Sequence, residues 1–276
     1  MTFRGKYPIT LNYPTSASNE PRWGYGKPPH PSLYKIIDKG RQDYAGLLLR
    51  FLDYGDKYAA INVHEDEQKS WEPHLATRWL PGLDSLALYC LLALYRPATY
   101  IEIGSGMSTK FARRSILDNG LQTKLISIDP EPRAEIDAIC DQVWRQSVEE
   151  IDISIFDQLG ANDILFVDSS HRCFMNSDVT VVFLDVLPRL NPGVLVEIHD
   201  VFLPNDYPLH WTNRYYNEQY LLAAYVMAGG QRFDVLLPNA FISTDQQLQT
   251  IVAPVFAKPS MSEVKKSGGS FWLMMK

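Results

Sequence analysis

The fold of this chain is decided by the stretch Tyr100-Ile101-Glu102-Ile103-Gly104-Ser105-Gly106-Met107-Ser108-Thr109. It predicts an apolar strand, a turn with two glycines and then a helix that runs to about Asn119. Gly104 and Gly106 allow the backbone to turn sharply, and Ser108 or Thr109 can cap the helix. Because free amides at a helix start attract electron-rich groups, the stretch is typical of a nucleotide-binding corner in an α/β enzyme.

The residues around this turn bear on which ligand it binds. A dinucleotide-binding turn has a third glycine where this chain has Thr109, which disfavours a nicotinamide oxidoreductase. The next predicted strand ends at Asp129, where a carboxylate can accept both hydroxyls of a ribose. Alternatively, Asp129 only starts the proline-rich turn that follows it.

Length and charge limit the possible functions. The chain has 276 residues, 46% of them hydrophobic, which suffices for one catalytic domain over 83–276 with an N-terminal extension over 1–82. We expect the extension to cover the catalytic face as a lid or to act as a dimerisation arm that makes a homodimer. A net charge of -6 argues against nucleic acid as a partner and favours a small neutral or cationic substrate.

The cysteines and the apolar segments bear on localisation. Cys90, Cys140 and Cys173 are scattered, so neither a disulfide framework nor a zinc cluster is expected. The first 15 residues lack the apolar core of a signal sequence, and no segment approaches the roughly 20 apolar residues of a membrane helix. We therefore expect a cytoplasmic protein with no membrane partner.

From Tyr100 onward, predicted strands and helices alternate, which is typical of a parallel sheet covered on both faces. We expect strands at Thr99–Ile103, Leu125–Ile128, Gln142–Arg145, Ile164–Val167, Val194–Ile198, Arg232–Leu237 and Ser270–Met275. We expect helices at Leu33–Leu52, Leu83–Tyr95 with Asp84 as cap, Asp178–Leu190, and Tyr216–Met227 ending at Gly229 and Gly230.

Polar residues follow the fourth and fifth predicted strands. The fourth is followed by Asp168 and, further along its loop, His171, whereas the fifth is followed by His199 and Asp200. Since ligands of open α/β sheets lie beyond the carboxyl ends of the strands, these residues are expected at one rim near the glycine turn. A loop over 205–211 is expected to cover the substrate pocket. Alternatively, its Trp211 only holds the loop against the core.

The part of the chain that contains these strands resembles a known family. The runs 163–171, 187–194, 199–204 and 268–272, together with an acid two residues before the first glycine, are similar to a bacterial group of class I S-adenosylmethionine-dependent methyltransferases, methyltransferase family 24. The resemblance covers roughly Leu83 to the C terminus. It implies a Rossmann-like fold with a seven-stranded, mostly parallel sheet and an antiparallel last strand.

The resemblance also implies a cofactor site for S-adenosyl-L-methionine. Its expected contacts are Glu102, Gly104, Ser105 and Gly106 at the methionine end, Asp129 at the ribose, and Gln146 and Ser147 at the adenine, with Ser108 and Asp168 as further cofactor contacts. Many relatives place an aspartate at the adenine, so this chain departs from the family there.

Methyl transfer requires alignment of the acceptor and removal of its proton where needed. His199 is the candidate base, with Asp168 or Asp200 to orient it and His171 as a further catalytic candidate. Alternatively, His199 is a buried histidine that satisfies its own loop. The most favoured function is O-methylation of a small metabolite, such as a sugar or a secondary metabolite.

A divalent metal is an alternative use of the same strand ends. In catechol-type methyltransferases, carboxylates at these positions hold Mg²⁺, and Asp168 and Asp200 stand at similar places. With His199 as third ligand, the site suits Mn²⁺, Fe²⁺ or Zn²⁺ better. Such an enzyme could also catalyse non-methylating chemistry, and a non-catalytic cofactor-binding protein is the third alternative.

Overall fold

A computed structural model describes residues 20–228 and 232–276. Its core is a seven-stranded sheet in the order β3-β2-β1-β4-β5-β7-β6. The strands are β1 Thr99–Ile103, β2 Lys124–Ile128, β3 Gln142–Trp144, β4 Ile164–Val167, β5 Leu195–Ile198, β6 Phe233–Pro238 and β7 Phe271–Met275. The first five are parallel, and β7 runs antiparallel to both β5 and β6. The predicted fold class and each predicted strand are confirmed, with ends shifted by at most one residue.

The centre of the sheet explains where a ligand can bind. β1 lies between β2 and β4, and the chain builds outward from β1 in one direction and from β4 in the other. This reversal opens a crevice at the carboxyl ends of the central strands. Every residue of β4 and β5 is buried, as expected for strands that are covered on both faces.

Helices surround the sheet and include the N-terminal part of the chain. Within the described residues they are α1 Pro31–Asp38, α2 Arg41–Phe51, α3 Gly55–Ala59, α4 Gly82–Tyr95, α5 Met107–Asp118, α6 Asp178–Val181, α7 Glu218–Met227, α8 Asn239–Thr244 and α9 Gln246–Phe256. α1 packs on α7 and α2 packs on α9, so the N-terminal helices contribute Leu33, Leu48 and Phe51 to the common core. None of the helices in the described ranges is long and apolar enough to cross a membrane.

Two predicted helices are wrong in their extent. The helix expected at Leu33–Leu52 is broken between Asp38 and Arg41, where Gly40 lies so close to the Tyr44 ring that a Cβ would be 2.5 Å from it. The helix expected at Asp178–Leu190 is α-helical only as far as Val181. It then widens into a π turn and tightens into a 3-10 turn. Pro188 contributes to this change because it has no N–H to donate to the preceding turn.

The sequence predicted Asp84 as the cap of α4, and this prediction is wrong because Asp84 lies inside the first turn of the helix. The side chain is fully buried and accepts hydrogen bonds from the backbone N–H groups of Gly269 and Ser270, at 2.7 and 2.9 Å, and from Asn239 Nδ2 at 2.8 Å. Its role is therefore to tie α4 to the start of β7. The predicted helix end at Gly229 and Gly230 lies outside the described residues.

Candidate active site

The glycine turn after β1 brings β1 and β4 into close contact. Gly104 has a φ of +80°, and a Cβ there would lie 1.9 Å from the carbonyl oxygen of Asp168. Its N–H donates to the carbonyl of Ile128 at 3.0 Å. Only glycine combines this left-handed conformation with such a close approach. The turn therefore sets the position of Asp168.

Glu102 supports the turn from below. It is fully buried and accepts hydrogen bonds from the hydroxyls of Tyr100, at 3.2 Å, and Thr109. The Thr109 oxygen in turn accepts the N–H of Gly106 at 3.0 Å, so Thr109 caps α5 from inside its first turn, while Ser108 does not cap it. Burial raises the pKa of Glu102 to about 7. Glu102 does not line the cavity above it, contrary to its predicted place at the cofactor.

A cavity of about 720 Å³ opens above the turn. The predicted cofactor residues that line it are Gly104, Ser105, Gly106, Ser108, Asp129, Ser147 and Asp168, whereas the exposed Gln146 does not. Val148 and Glu149 lie beside Ser147 at the end expected to hold the adenine. These two residues had no motif that sequence reasoning could use.

Asp129 lines the cavity and also starts the turn that follows β2, while its role at the ribose stays a prediction. One of its carboxylate oxygens accepts the N–H of Ser105 at 2.7 Å, and the other accepts the N–H of Glu131 at 2.8 Å. The second contact starts the proline-rich turn. Each carboxylate oxygen has a further lone pair, so Asp129 remains able to accept hydroxyl groups of a ribose in the cavity.

The N-terminal part of the chain forms another wall of the cavity. Glu65, His74 and the run 76–80 line it, together with Lys110 of α5 and Arg133 after β2. The guanidinium groups of Arg78 and Arg133 lie 4.7 and 4.9 Å from the centre of the Trp79 ring. Sequence analysis expected a lid or wall in this part of the chain but gave no residues for it.

Beside the cavity, a polar cluster joins the ends of β4 and β5 to α7. His171 Nε2 lies 3.1 Å from Asp168 Oδ1 and 3.5 Å from Asp200 Oδ2, and its Nδ1 lies 2.8 Å from Glu218 Oε2. Ligand atoms of Asp168, His171 and Asp200 all fall within 4.8 Å of one another. His171 and Asp200 have φ values of +59° and +57°, a left-handed conformation that is strained for residues other than glycine. Such strain is concentrated at functional sites.

His199 lies behind this cluster and is only 2% exposed. Its Nδ1 is 3.1 Å from Glu197 Oε1 and 3.3 Å from Ser270 Oγ, and its Nε2 is 3.9 Å from Asp200 Oδ1. The carboxylate that orients His199 is therefore that of Glu197. The sequence had suggested Asp168 or Asp200 for this role. His171 takes the place that sequence analysis gave to His199 beside the two aspartates.

The electrostatics of the cluster reflect buried carboxylates around two histidines. Burial lowers the pKa of His171, but Asp168 and Glu218 outweigh it, so the net pKa lies well above the ordinary value. The same balance, with Asp168 and Glu197 as the main opposing charges, raises the pKa of His199. Burial raises the pKa of Glu218. The cluster thus favours positive charge at its centre.

Aromatic residues surround the open side of the cluster. The Tyr216 ring centre lies 4.6 Å from that of His171 and 5.6 Å from that of Trp211. The Arg214 guanidinium stacks on Trp211 at 3.7 Å, and its Nη1 is 4.0 Å from Asp200 Oδ2. The loop expected over the acceptor therefore ends at the polar cluster.

The strand order, the glycine turn after β1 and the acid after β2 are those of the Rossmann-like fold that the resemblance to class I S-adenosylmethionine-dependent methyltransferases predicted. Residues 101–201 match the model of methyltransferase family 24, which is described as a methyltransferase domain. Residues 101–201 thus carry a methyltransferase domain, as the sequence predicted.

Two solved structures are similar to the chain. One is the SAH-bound methyltransferase PaMTH1 of Podospora anserina, with 14% identity over 88% of this chain and 96% of that one, and a TM-score of 0.43. The other is an O-methyltransferase of Bacillus cereus in complex with SAH, with 13% identity over 83% of this chain and 90% of that one, and a TM-score of 0.36. A comparison with curated proteins gives no match.

Proposed function

We propose that this enzyme transfers the methyl group of S-adenosylmethionine to an oxygen atom of a small metabolite held at the Asp168–His171–Asp200 cluster. One observation carries the proposal: Asp168 belongs both to the cofactor cavity and to the cluster. Ser169 lines the cavity next to it, and the Ser169 hydroxyl is buried with no hydrogen-bond partner in the described part of the chain. A bound ligand would supply that partner.

The residues of the chain have separate tasks in this reaction. The cavity above the glycine turn holds the cofactor, with the Asp129 carboxylate at its ribose and Val148 against its adenine. Methyl transfer is a direct displacement, so most of the acceleration comes from aligning the acceptor oxygen with the methyl group. The buried position of the cluster excludes water and strengthens its charges.

A divalent cation fits the cluster. His171 faces the buried Glu218 with Nδ1 and the two aspartates with Nε2, which is the arrangement that orients a metal-binding histidine. Asp168, His171 and Asp200 would hold the ion, and two carboxylates with one imidazole suit Mn²⁺, Fe²⁺ or Zn²⁺. When bound, the ion would lower the pKa of the acceptor hydroxyl. His199 is not in this ligand set.

Without a cation, a histidine would act as the base that takes the proton from the hydroxyl group of the methyl acceptor. His199 remains the candidate that the sequence suggested, and His171 is the other. The cation is favoured because His199 is buried and faces Glu197, whereas His171 faces both aspartates. We further propose a reducing cytoplasm as the location of the enzyme and a neutral or cationic acceptor.

Calorimetric titration with S-adenosylmethionine and S-adenosylhomocysteine, on the wild type and Asp129→Ala, tests the cofactor. Micromolar binding that is lost in the variant supports the proposal. No binding to a folded wild type would overturn it.

A screen of hydroxylated metabolites, with S-adenosylhomocysteine formation as readout, then tests the acceptor. Each reaction is run with and without a chelator, and with Asp200→Asn. Activity that the chelator abolishes and Mn²⁺ restores supports the cation. Activity that is unchanged by chelator but lost in His199→Ala would favour the histidine base instead.

A further inference from the structure

Lys110 is a buried lysine that faces the cofactor cavity. It lies in the first turns of α5, four residues after Gly106, and only 4% of its surface is exposed. Its side chain lines the cavity. Across residues 20–228 and 232–276, no hydrogen bond or ion pair to its ammonium group is found.

This position is unfavourable for a lysine in the absence of a ligand. A lysine side chain loses part of its hydration where the protein covers it, and the N-terminal end of a helix is itself positive and disfavours cations. Burial lowers the pKa of Lys110, and the more distant charges of Glu65 and Glu135 only partly oppose this effect. An anionic group in the cavity would pair with Lys110 and would lie near the positive end of the α5 dipole.

The N-terminal part of the chain offers groups of complementary chemistry to the same cavity. Glu65 and His74 line the same cavity, and His74 Nδ1 is buried with no hydrogen-bond partner among the residues described. Burial lowers the pKa of His74, so its ring is neutral and Nδ1 can accept a hydrogen bond. The lining of the cavity thus offers a cation from α5, and an acid and a hydrogen-bond acceptor from the N-terminal part of the chain.

We infer that Lys110 binds the carboxylate of the amino-acid end of the cofactor, while Glu65 and His74 face its ammonium group. This inference rests on the cofactor named in the proposed function. It makes the N-terminal part of the chain a component of the cofactor site, and it makes Lys110 the residue that selects for the carboxylate.

The test compares S-adenosylmethionine with decarboxylated S-adenosylmethionine, which differs from it only at this carboxylate. Calorimetric dissociation constants are measured for the wild type, Lys110→Met and Lys110→Arg. The matched control is Lys57→Met, which removes an exposed lysine that binds Asp118 and Asn119 at the other end of α5.

We expect the wild type and the control to prefer the intact cofactor by roughly tenfold to hundredfold, the usual size of a charge-assisted hydrogen bond. Lys110→Met should lose this preference while keeping its affinity for the decarboxylated compound, and Lys110→Arg should keep part of it. Equal binding of both compounds by the wild type would overturn the inference, as would an unchanged preference in Lys110→Met. If the wild type binds neither compound, the proposed function itself fails.

Discussion

Replacement of Gly104 by alanine tests the close contact between β1 and β4. The left-handed conformation costs roughly 1–2 kcal/mol for a residue with a Cβ. The new Cβ would also lie 1.9 Å from the carbonyl oxygen of Asp168 and 2.7 Å from its carbonyl carbon. Both are backbone atoms of a buried strand end, so the overlap adds roughly 1–3 kcal/mol. We therefore expect a loss of about 2–5 kcal/mol in the free energy of unfolding.

Thermal unfolding measures this loss directly. At roughly 2–4 °C per kcal/mol, Gly104→Ala should melt roughly 4–20 °C below the wild type. Gly120→Ala is the matched control, because Gly120 also has a positive φ, +56°, but no atom lies within 4 Å of the added Cβ. It should lose only the conformational part, roughly 1–2 kcal/mol. Equal melting temperatures for the two variants would refute the contact between Gly104 and Asp168.

Three further predictions follow from single side chains. Trp79 and Trp71 are similarly exposed, at 49% and 51%, but only Trp79 of these two lines the cavity. Binding of S-adenosylhomocysteine should therefore change the tryptophan fluorescence of the wild type and of Trp71→Phe, but not that of Trp79→Phe. Because folding raises the pKa of Glu102 from 4.5 to about 7, its protonation stabilises the fold at low pH, and about 3 kcal/mol is lost as the pH rises from 4.5 through 7. Glu102→Gln should remove that part of the pH dependence of melting between pH 5 and 8; an unchanged slope would contradict the assignment. Asp84→Ala leaves the buried N–H groups of Gly269 and Ser270 without this acceptor and removes one of the two acceptors of Asn239 Nδ2, so it should cost about 3–5 kcal/mol in urea unfolding, with Asp84→Asn costing less.

The sheet could be predicted from the sequence because its strands are short apolar runs with clear ends. Every residue of Ile164–Val167 is buried, and Asp168 follows at once, so composition alone marks both limits. The helices were less predictable because their ends depend on contacts distant in sequence. Asp84 has the position and the residue type of a helix cap, but its partners lie about 185 residues further along the chain.

The exchange between His199 and His171 shows where sequence reasoning stopped. Asp168 and Asp200 each follow the carboxyl end of a predicted strand, and from this the sequence predicted that they lie close together, as they do in the structure. Side chains alternate along a strand, so Glu197 and His199 at the end of β5 point to the same side, and they contact each other at 3.1 Å. That alternation was a usable signal that His199 faces Glu197.

No comparable signal exists for His171. Its position depends on a left-handed backbone conformation and on α7, whose first residues lie about 47 positions later in the chain. The N–H groups of Asn217 and Glu218 both donate to the carbonyl of His171, at 3.0 and 3.3 Å, while the Glu218 carboxylate binds its ring. The start of α7 thus fixes both the backbone and the side chain of His171. At the proposed cation site α7 therefore holds the histidine ligand in place, and Glu218→Gln should weaken Mn²⁺ binding although Glu218 is not a ligand.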